Sequence, residues 1–472
     1  MYLFITPPTA DDVWWRLHAG ERILRAGQLD LQNGWAYGDP EHEWVNHAAG
    51  HDVLAAAVHR VAGRRGLIFL YMLPLVWIAA TLLRPAATLL RPAHRRDLAW
   101  ALFLPPLLVL HYALRPFVFS DVFFFLAIRW AASRHDQDAI GLREALPMGG
   151  LFWLWGQLHG AVWPGLFFFG LFVVRWGRLA RPWRRDGRAE LKRLRWLAPL
   201  PLFALANAQH VRGLALAWRY GTGDFSWLSQ LTEWQPAGPV VLLFAGAFTG
   251  GFIWATRSRG LALGRLLPLL PLGIAGALQL RHLPWLVLAA VALLRAVDRP
   301  ALPRAVPARL ARFGLPALCL LLAAVPALLH AGRLEDPRFF PAKLYDRMEA
   351  QCRLGSGLRV FAPHAWGGSL AYRFDGRLSP FIDARNDCFS KATFDRYFRI
   401  TRLAPDWYEL VMSDHPDGAV LPAAHPMVPE LLRRGWVPGV RWRDDRFLVA
   451  PHRARTLCRR PDAVHRSVPD SN

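Results

Sequence analysis

Apolar residues in this chain gather into long runs instead of alternating with polar ones. Ten runs, at about 66–83, 98–115, 117–132, 146–158, 160–175, 196–208, 239–255, 262–280, 283–297 and 314–331, reach or approach the length of a membrane-spanning helix. The pattern predicts an α-helical polytopic bundle over 66–332. The runs 146–158 and 160–175 are separated only by His159 and Gly160, which predicts two short helices turning sharply at QLHGAVWPG or, alternatively, a re-entrant loop. Ahead of the bundle, Val13, Trp14, Leu17, Ile23 and Leu24 trace one side of a helix. Residues 1–65 therefore read as a first outer loop with interfacial helices, Trp14 and Trp15 lying at headgroup depth.

Past Gly332 the pattern changes. Strand-like runs (LRVFAP, SPFIDAR, GAVLPA, RFLVAP) alternate with helix-like ones (WGGSLAYRF, KATFDRYFRI, PMVPELLRRG), which predicts a soluble α/β domain over 333–472. At about 140 residues it is large enough to hold its own core.

Charge orients the bundle. Arg84, Arg91, Arg95 and Arg96 fall in one connection, nine Lys and Arg lie between 175 and 195, and further arginines follow at 257, 259, 299, 304, 309 and 312. These connections read as cytoplasmic, which puts 1–65 and the C-terminal domain on the outer side of a bacterial inner membrane; Arg64 and Arg65 run against the rule.

Composition agrees: 53% hydrophobic residues, 22 Trp and 28 Phe are too apolar for an ordinary soluble protein. The net charge of +22 rests almost wholly on arginines between apolar runs, so membrane lipid and not nucleic acid is the expected partner. Cys319, Cys352, Cys388 and Cys458 lack zinc spacing; one disulfide among the last three is compatible with the sequence. MYLFITPP is too short for a cleavable signal.

No glycine-rich phosphate loop, zinc-protease or serine-hydrolase motif is present, so any chemistry rests on carboxylates and bases at the predicted outer face. Asp11 and Asp12 either cap the helix that follows or supply a general base. His47 and His51, four apart, could share a helix face with Asp52 beside them, and a divalent cation is one occupant that such spacing admits. Arg115 and the pair Arg281–His282 stand at the ends of apolar runs, as membrane anchors or as a phosphate clamp. His159 and Glu233 are polar groups in aromatic company on the same predicted side.

The blocks DDVWWRLHAGERILRAGQLD, EWVNHAAGHDVLA, LRPFVFSDVFFFL, WLWGQLHGAVWPG, LTEWQP, LRHLPW and VFAPHAWGGSLAYRF...SPFIDARND occur in an order that resembles bacterial polytopic proteins similar to the GT-C glycosyltransferases, the class of protein O-mannosyltransferases and lipid A aminoarabinose transferase. Arg16 stands where the group has His after the paired tryptophans. The resemblance implies a polyprenyl-phosphate-linked sugar as donor, an envelope acceptor, and a first-loop Asp as base, a role that falls on Asp12 with Asp11 as its neighbour. It also implies a further helix before Asp11, eleven in all. A transporter or flippase for a lipid-linked compound and an envelope assembly protein are the alternatives, which would carry polar residues through the bundle midplane or scatter them around it.

Overall fold

The computed structural model describes residues 12–88, 113–222, 235–257, 265–297, 315–330, 338 and 340–458. The chain divides into two compact units that interleave along the sequence, one built of the described residues of His47–His51 and Val61–Ala331, the other of those of Ala10–Asn46, Asp52–Arg60 and Gly332–Asn472. The segment ahead of the predicted bundle is thus shared between them, most of it grouping with the C-terminal residues.

The first unit is helical. Its described helices include Phe117–Ser133, Leu142–Leu158, Val162–Val173, Pro239–Arg257, Leu269–Leu278, Leu283–Val297 and Leu315–His330, all on predicted apolar runs. The run 98–115 falls almost entirely outside the described residues. Phe117–Ser133 and Leu283–Val297 form the most extensive helix pair, centred on Trp285 stacked on Phe124 at 4.3 Å between centroids. The sharp turn is present: His159 is extended, and Val162 starts a new helix.

Among the described residues one helix, Ala49–Ile78, is long and apolar enough to cross a membrane alone. Several other runs give shorter helices than the ten spans expected, because turns interrupt them. The helix Val162–Val173 has 12 residues, about 18 Å at 1.5 Å each, against about 30 Å of hydrocarbon. The helix Ala49–Thr88 itself breaks at Gly63, whose φ of 58° and ψ of −153° suit a residue without Cβ.

The second unit carries a five-stranded mixed sheet, β1 Leu358–Phe361, β2 Leu378–Pro380, β3 Gly418–Pro422, β4 Val437–Trp442 and β5 Asp445–Val449, in the order β2-β1-β3-β5-β4. β2, β1 and β3 run parallel, while β5 pairs antiparallel with both β3 and β4. β1, β3 and β5 coincide with the predicted runs, whereas β2 shares only Ser379 and Pro380 with the run SPFIDAR. β4, VPGVRW, does not read as a strand because it carries Pro438 and Gly439; it is tolerated at the sheet edge, where the register shifts between Pro438 and Val440. The helices Ala342–Gln351 and Trp407–Met412 were also not anticipated. Cys352 and Cys458 form a disulfide, leaving Cys388 a buried thiol that burial pushes up in pKa.

The helix Val13–Ala26 forms as expected, but its surroundings correct the interfacial reading. Trp14 and Trp15 are only 2% and 4% exposed. Trp14 packs on Phe340 at 4.2 Å and on Tyr372 at 5.3 Å, and Trp15 lies edge-on to Trp44. The two tryptophans are core residues of this unit, held by aromatic partners from both ends of the chain.

On the same helix His18 is buried, edge-on to Trp35 at 4.7 Å, and its Nδ1 lies 3.8 Å from Asp375. Burial, reinforced by Arg22, Arg385 and Arg25 against the opposing Asp375, lowers its pKa from 6.5 to about 4. The folded protein therefore refuses a proton that the unfolded chain accepts. Stability from this group is full above about pH 6.5 and drains as pH falls toward 4, by roughly 3 kcal/mol at most. Protection factors of the Val13–Ala26 amides, taken against the intrinsic exchange rate at each pH, should fall across that window in the wild type and much less in His18→Phe. A parallel fall in both proteins would assign the pH dependence to other groups.

Candidate functional site

In the first unit the turn between Leu142–Leu158 and Val162–Val173 sets His159 against the start of Phe117–Ser133. His159 is 5% exposed, and its Nδ1 lies 2.9 Å from the Ser120 hydroxyl, which also accepts from Trp155 Nε1 at 2.9 Å. The hydroxyl accepts from the indole, and toward Nδ1 it donates or accepts according to the imidazole tautomer, so it is placed to influence which ring nitrogen carries the hydrogen. The Trp155 ring can approach this closely because Gly165 faces it: a Cβ there would lie 2.1 Å from the indole.

Three of the sequence-predicted residues converge here. The His47 ring lies 5.4 Å from His159, Phe117 lies 4.9 Å from His159, and the Arg281 guanidinium carbon sits 4.9 Å above Phe117. His282 follows Arg281 in a short 3-10 turn, with Nε2 at 3.2 Å from Gln279 Oε1 and its ring 6.4 Å from Trp285. Arg115 is half-buried, and its carbonyl accepts from Val118 at the start of the helix that carries Phe117. Two imidazoles and a guanidinium in one run of contacts can offer hydrogen-bond donors and positive charge to an anionic oxygen.

The pairing expected of His47 and His51 does not form. The helix begins at Ala49, so His47 lies in the preceding turn, while His51 is fully buried with Nε2 at 2.9 Å from the Tyr71 hydroxyl. Among the described residues no group of three His, Cys, Asp or Glu is arranged to hold a metal ion.

Asp12 belongs to the second unit. It stands at the N-cap of Val13–Ala26 without a side-chain capping bond; instead its Oδ1 accepts from Trp15 Nε1 at 3.2 Å. Asp52 is fully buried, with one oxygen 3.0 Å from Arg16 Nη1 and the other 3.0 Å from Asn46 Nδ2. Asp11 and Glu233 lie outside the described residues.

Sequence reasoning passed over Ser120 and Asp121. Asp121 is buried and accepts from Trp285 Nε1 at 2.9 Å. The available signal was two polar residues inside the aromatic stretch FVFSDVFFF, where polar groups seldom occur without a partner or a task.

No protein-family model and no curated protein matches this chain. Among solved structures it is similar to the Archaeoglobus fulgidus oligosaccharyltransferase in its apo form, at 13% identity and a TM-score of 0.44, over 89% of this chain and 67% of that one. A likeness of this degree assigns no residue and no reaction.

The hydrogen-bond chain can be tested directly. Ser120→Ala removes the hydroxyl between indole and imidazole, leaving Trp155 Nε1 and His159 Nδ1 without that partner. The His159 ring-nitrogen NMR signals should shift toward a mixed tautomer population, whereas Ser120→Thr should retain the wild-type pattern. Unchanged signals in Ser120→Ala would show that Ser120 does not set the tautomer.

Proposed function

We propose that this chain is a multi-pass membrane glycosyltransferase of the GT-C type. It transfers a sugar from a polyprenyl-phosphate donor to an acceptor of the cell envelope at the outer face of the inner membrane. The observation that carries the reading is the run of ring contacts from His47 through His159 and Phe117 to Arg281, at the ends of apolar helices. Such a group suits the phosphate of a lipid-linked donor, since guanidinium and imidazole N–H groups can take up charge as the leaving group departs.

Large apolar side chains exposed on the first unit, among them Phe167, Leu243, Leu270 and Leu321, support a lipid environment. The Cys352–Cys458 disulfide supports an oxidising compartment for the second unit, in keeping with the outer side of the membrane.

In the proposed reaction the bond between the sugar anomeric carbon and the phosphate oxygen breaks, its electron pair leaving with polyprenyl phosphate. The acceptor hydroxyl oxygen forms the new bond with inversion, and its proton passes to a carboxylate. The carboxylate role stays with Asp12 on the sequence resemblance alone. Arg281 and Arg115 are the proposed phosphate cations, and His159 is a proposed Nε2–H donor.

The test is transfer of radiolabelled sugar from a lipid-linked donor pool to envelope acceptors in membranes containing the full chain. Asp12→Asn should lower turnover at least about 100-fold, the scale of a lost general base. Arg281→Gln should act mainly on the KM for the donor. Wild-type transfer in Asp12→Asn would remove Asp12 from the reaction.

A further inference from the structure

The basic stretch 175–196 follows directly on the apolar helix Val162–Val173 and is built in two parts. One part is closed. Buried Glu190 accepts from Arg175 Nε and from Arg193 Nη1, each at 2.6 Å. Arg193, itself 2% exposed, also donates to the main-chain oxygens of Arg134, Gln137 and Val173. Its guanidinium thus closes the carbonyl ends of two helices, those ending at Ser133 and Val173, where a cation complements the helix dipole.

The other part is open. Gly187, Glu190 and Arg193 are the buried positions of the helix Arg185–Leu194, while Arg185, Arg188 and Lys192 are exposed at spacings of three and four. Arg181 and Arg184 just before it are exposed too, and between them Trp183 is 72% exposed. Apart from the engaged Glu190, Asp186 is the only acid between 176 and 196. An exposed indole among arginines, on a backbone anchored by a buried ion-pair knot, is a surface built for a flat anionic partner.

We propose that this face binds anionic phospholipid headgroups. The arginine forks match phosphate oxygens, the charge draws the segment to an anionic leaflet, and the Trp183 ring suits headgroup depth. The proposal shares the membrane setting of the preceding section but is independent of the reaction, and its test does not read sugar transfer.

The full chain, purified in neutral detergent, is offered micelles doped with phosphatidylglycerol or phosphatidylcholine, and retained lipids are measured by native mass spectrometry. The wild type should prefer phosphatidylglycerol at least tenfold. Combined Arg181→Gln, Arg184→Gln, Arg185→Gln and Arg188→Gln should abolish the preference, the four corresponding Arg→Lys changes should keep most of it, and Trp183→Ala should weaken it severalfold. Raising salt should also erode the wild-type preference, a measurement that stands even if the Gln variant does not fold. Equal retention of both lipids, a preference unmoved by salt, or capture of an RNA oligonucleotide that phosphatidylglycerol micelles cannot displace would overturn the proposal.

Discussion

The second unit depends on one buried cation. Arg385 is 1% exposed, and a guanidinium so placed is tolerated only with its charge matched and its N–H groups occupied. Asp383 supplies the charge with both oxygens, Asn33 accepts through its main-chain and side-chain oxygens, and the Trp35 ring lies 3.5 Å from the guanidinium carbon with Trp44 at 4.7 Å. Burial alone would raise the pKa of Asp383, but Arg385 and the Trp35 indole hold it below the usual carboxylate range. Removing either partner of such a pair costs about 3–5 kcal/mol, because the survivor stays buried and charged. Asn33 and Arg385 are 352 positions apart, so these hydrogen bonds tie the N-terminal segment into the C-terminal fold. Neighbouring contacts follow the same path: Tyr37 N–H donates to the Pro380 carbonyl, and Asp39 accepts from Ser390 and Thr393.

Among the described residues, indole N–H groups repeatedly hold an oxygen in aromatic surroundings. Trp35 donates to Asp383 and Trp15 to Asp12 in the second unit; Trp155 donates to Ser120 and Trp285 to Asp121 in the first. An indole satisfies an acceptor while adding a large apolar surface, so a polar group can be held without opening the core to water. That gives these four tryptophans a structural role within their units, beyond the membrane-interface role that composition alone suggests.

Local order was legible in the sequence and long-range partnership was not. The aromatic runs marked Phe117–Ser133 and Leu283–Val297 closely, and short β-rich runs marked β1, β3 and β5, because burial imposes a period on each element. β4 escaped because Pro and Gly at a sheet edge erase that signal. Trp14 and Trp15 were misplaced for a different reason: a helix side rich in Trp has the same composition whether it faces headgroups or Phe340 and Tyr372. In the candidate site, His47, His159 and Arg281 stood out as charged or titratable residues in apolar company. Phe117, which lies between His159 and Arg281, had no mark to separate it from the other phenylalanines.

The two N-terminal carboxylates show what the structure adds to a list of acids. Asp52 has one oxygen on a buried arginine and the other on an asparagine amide, so its ordinary task is to neutralise Arg16 and fix Asn46. Asp12 is half-buried, and its Oδ1 accepts from the Trp15 indole three residues on. Trp15 is in turn edge-on to Trp44, so the start of this helix is tied into the aromatic core of its unit and not left as a loose cap.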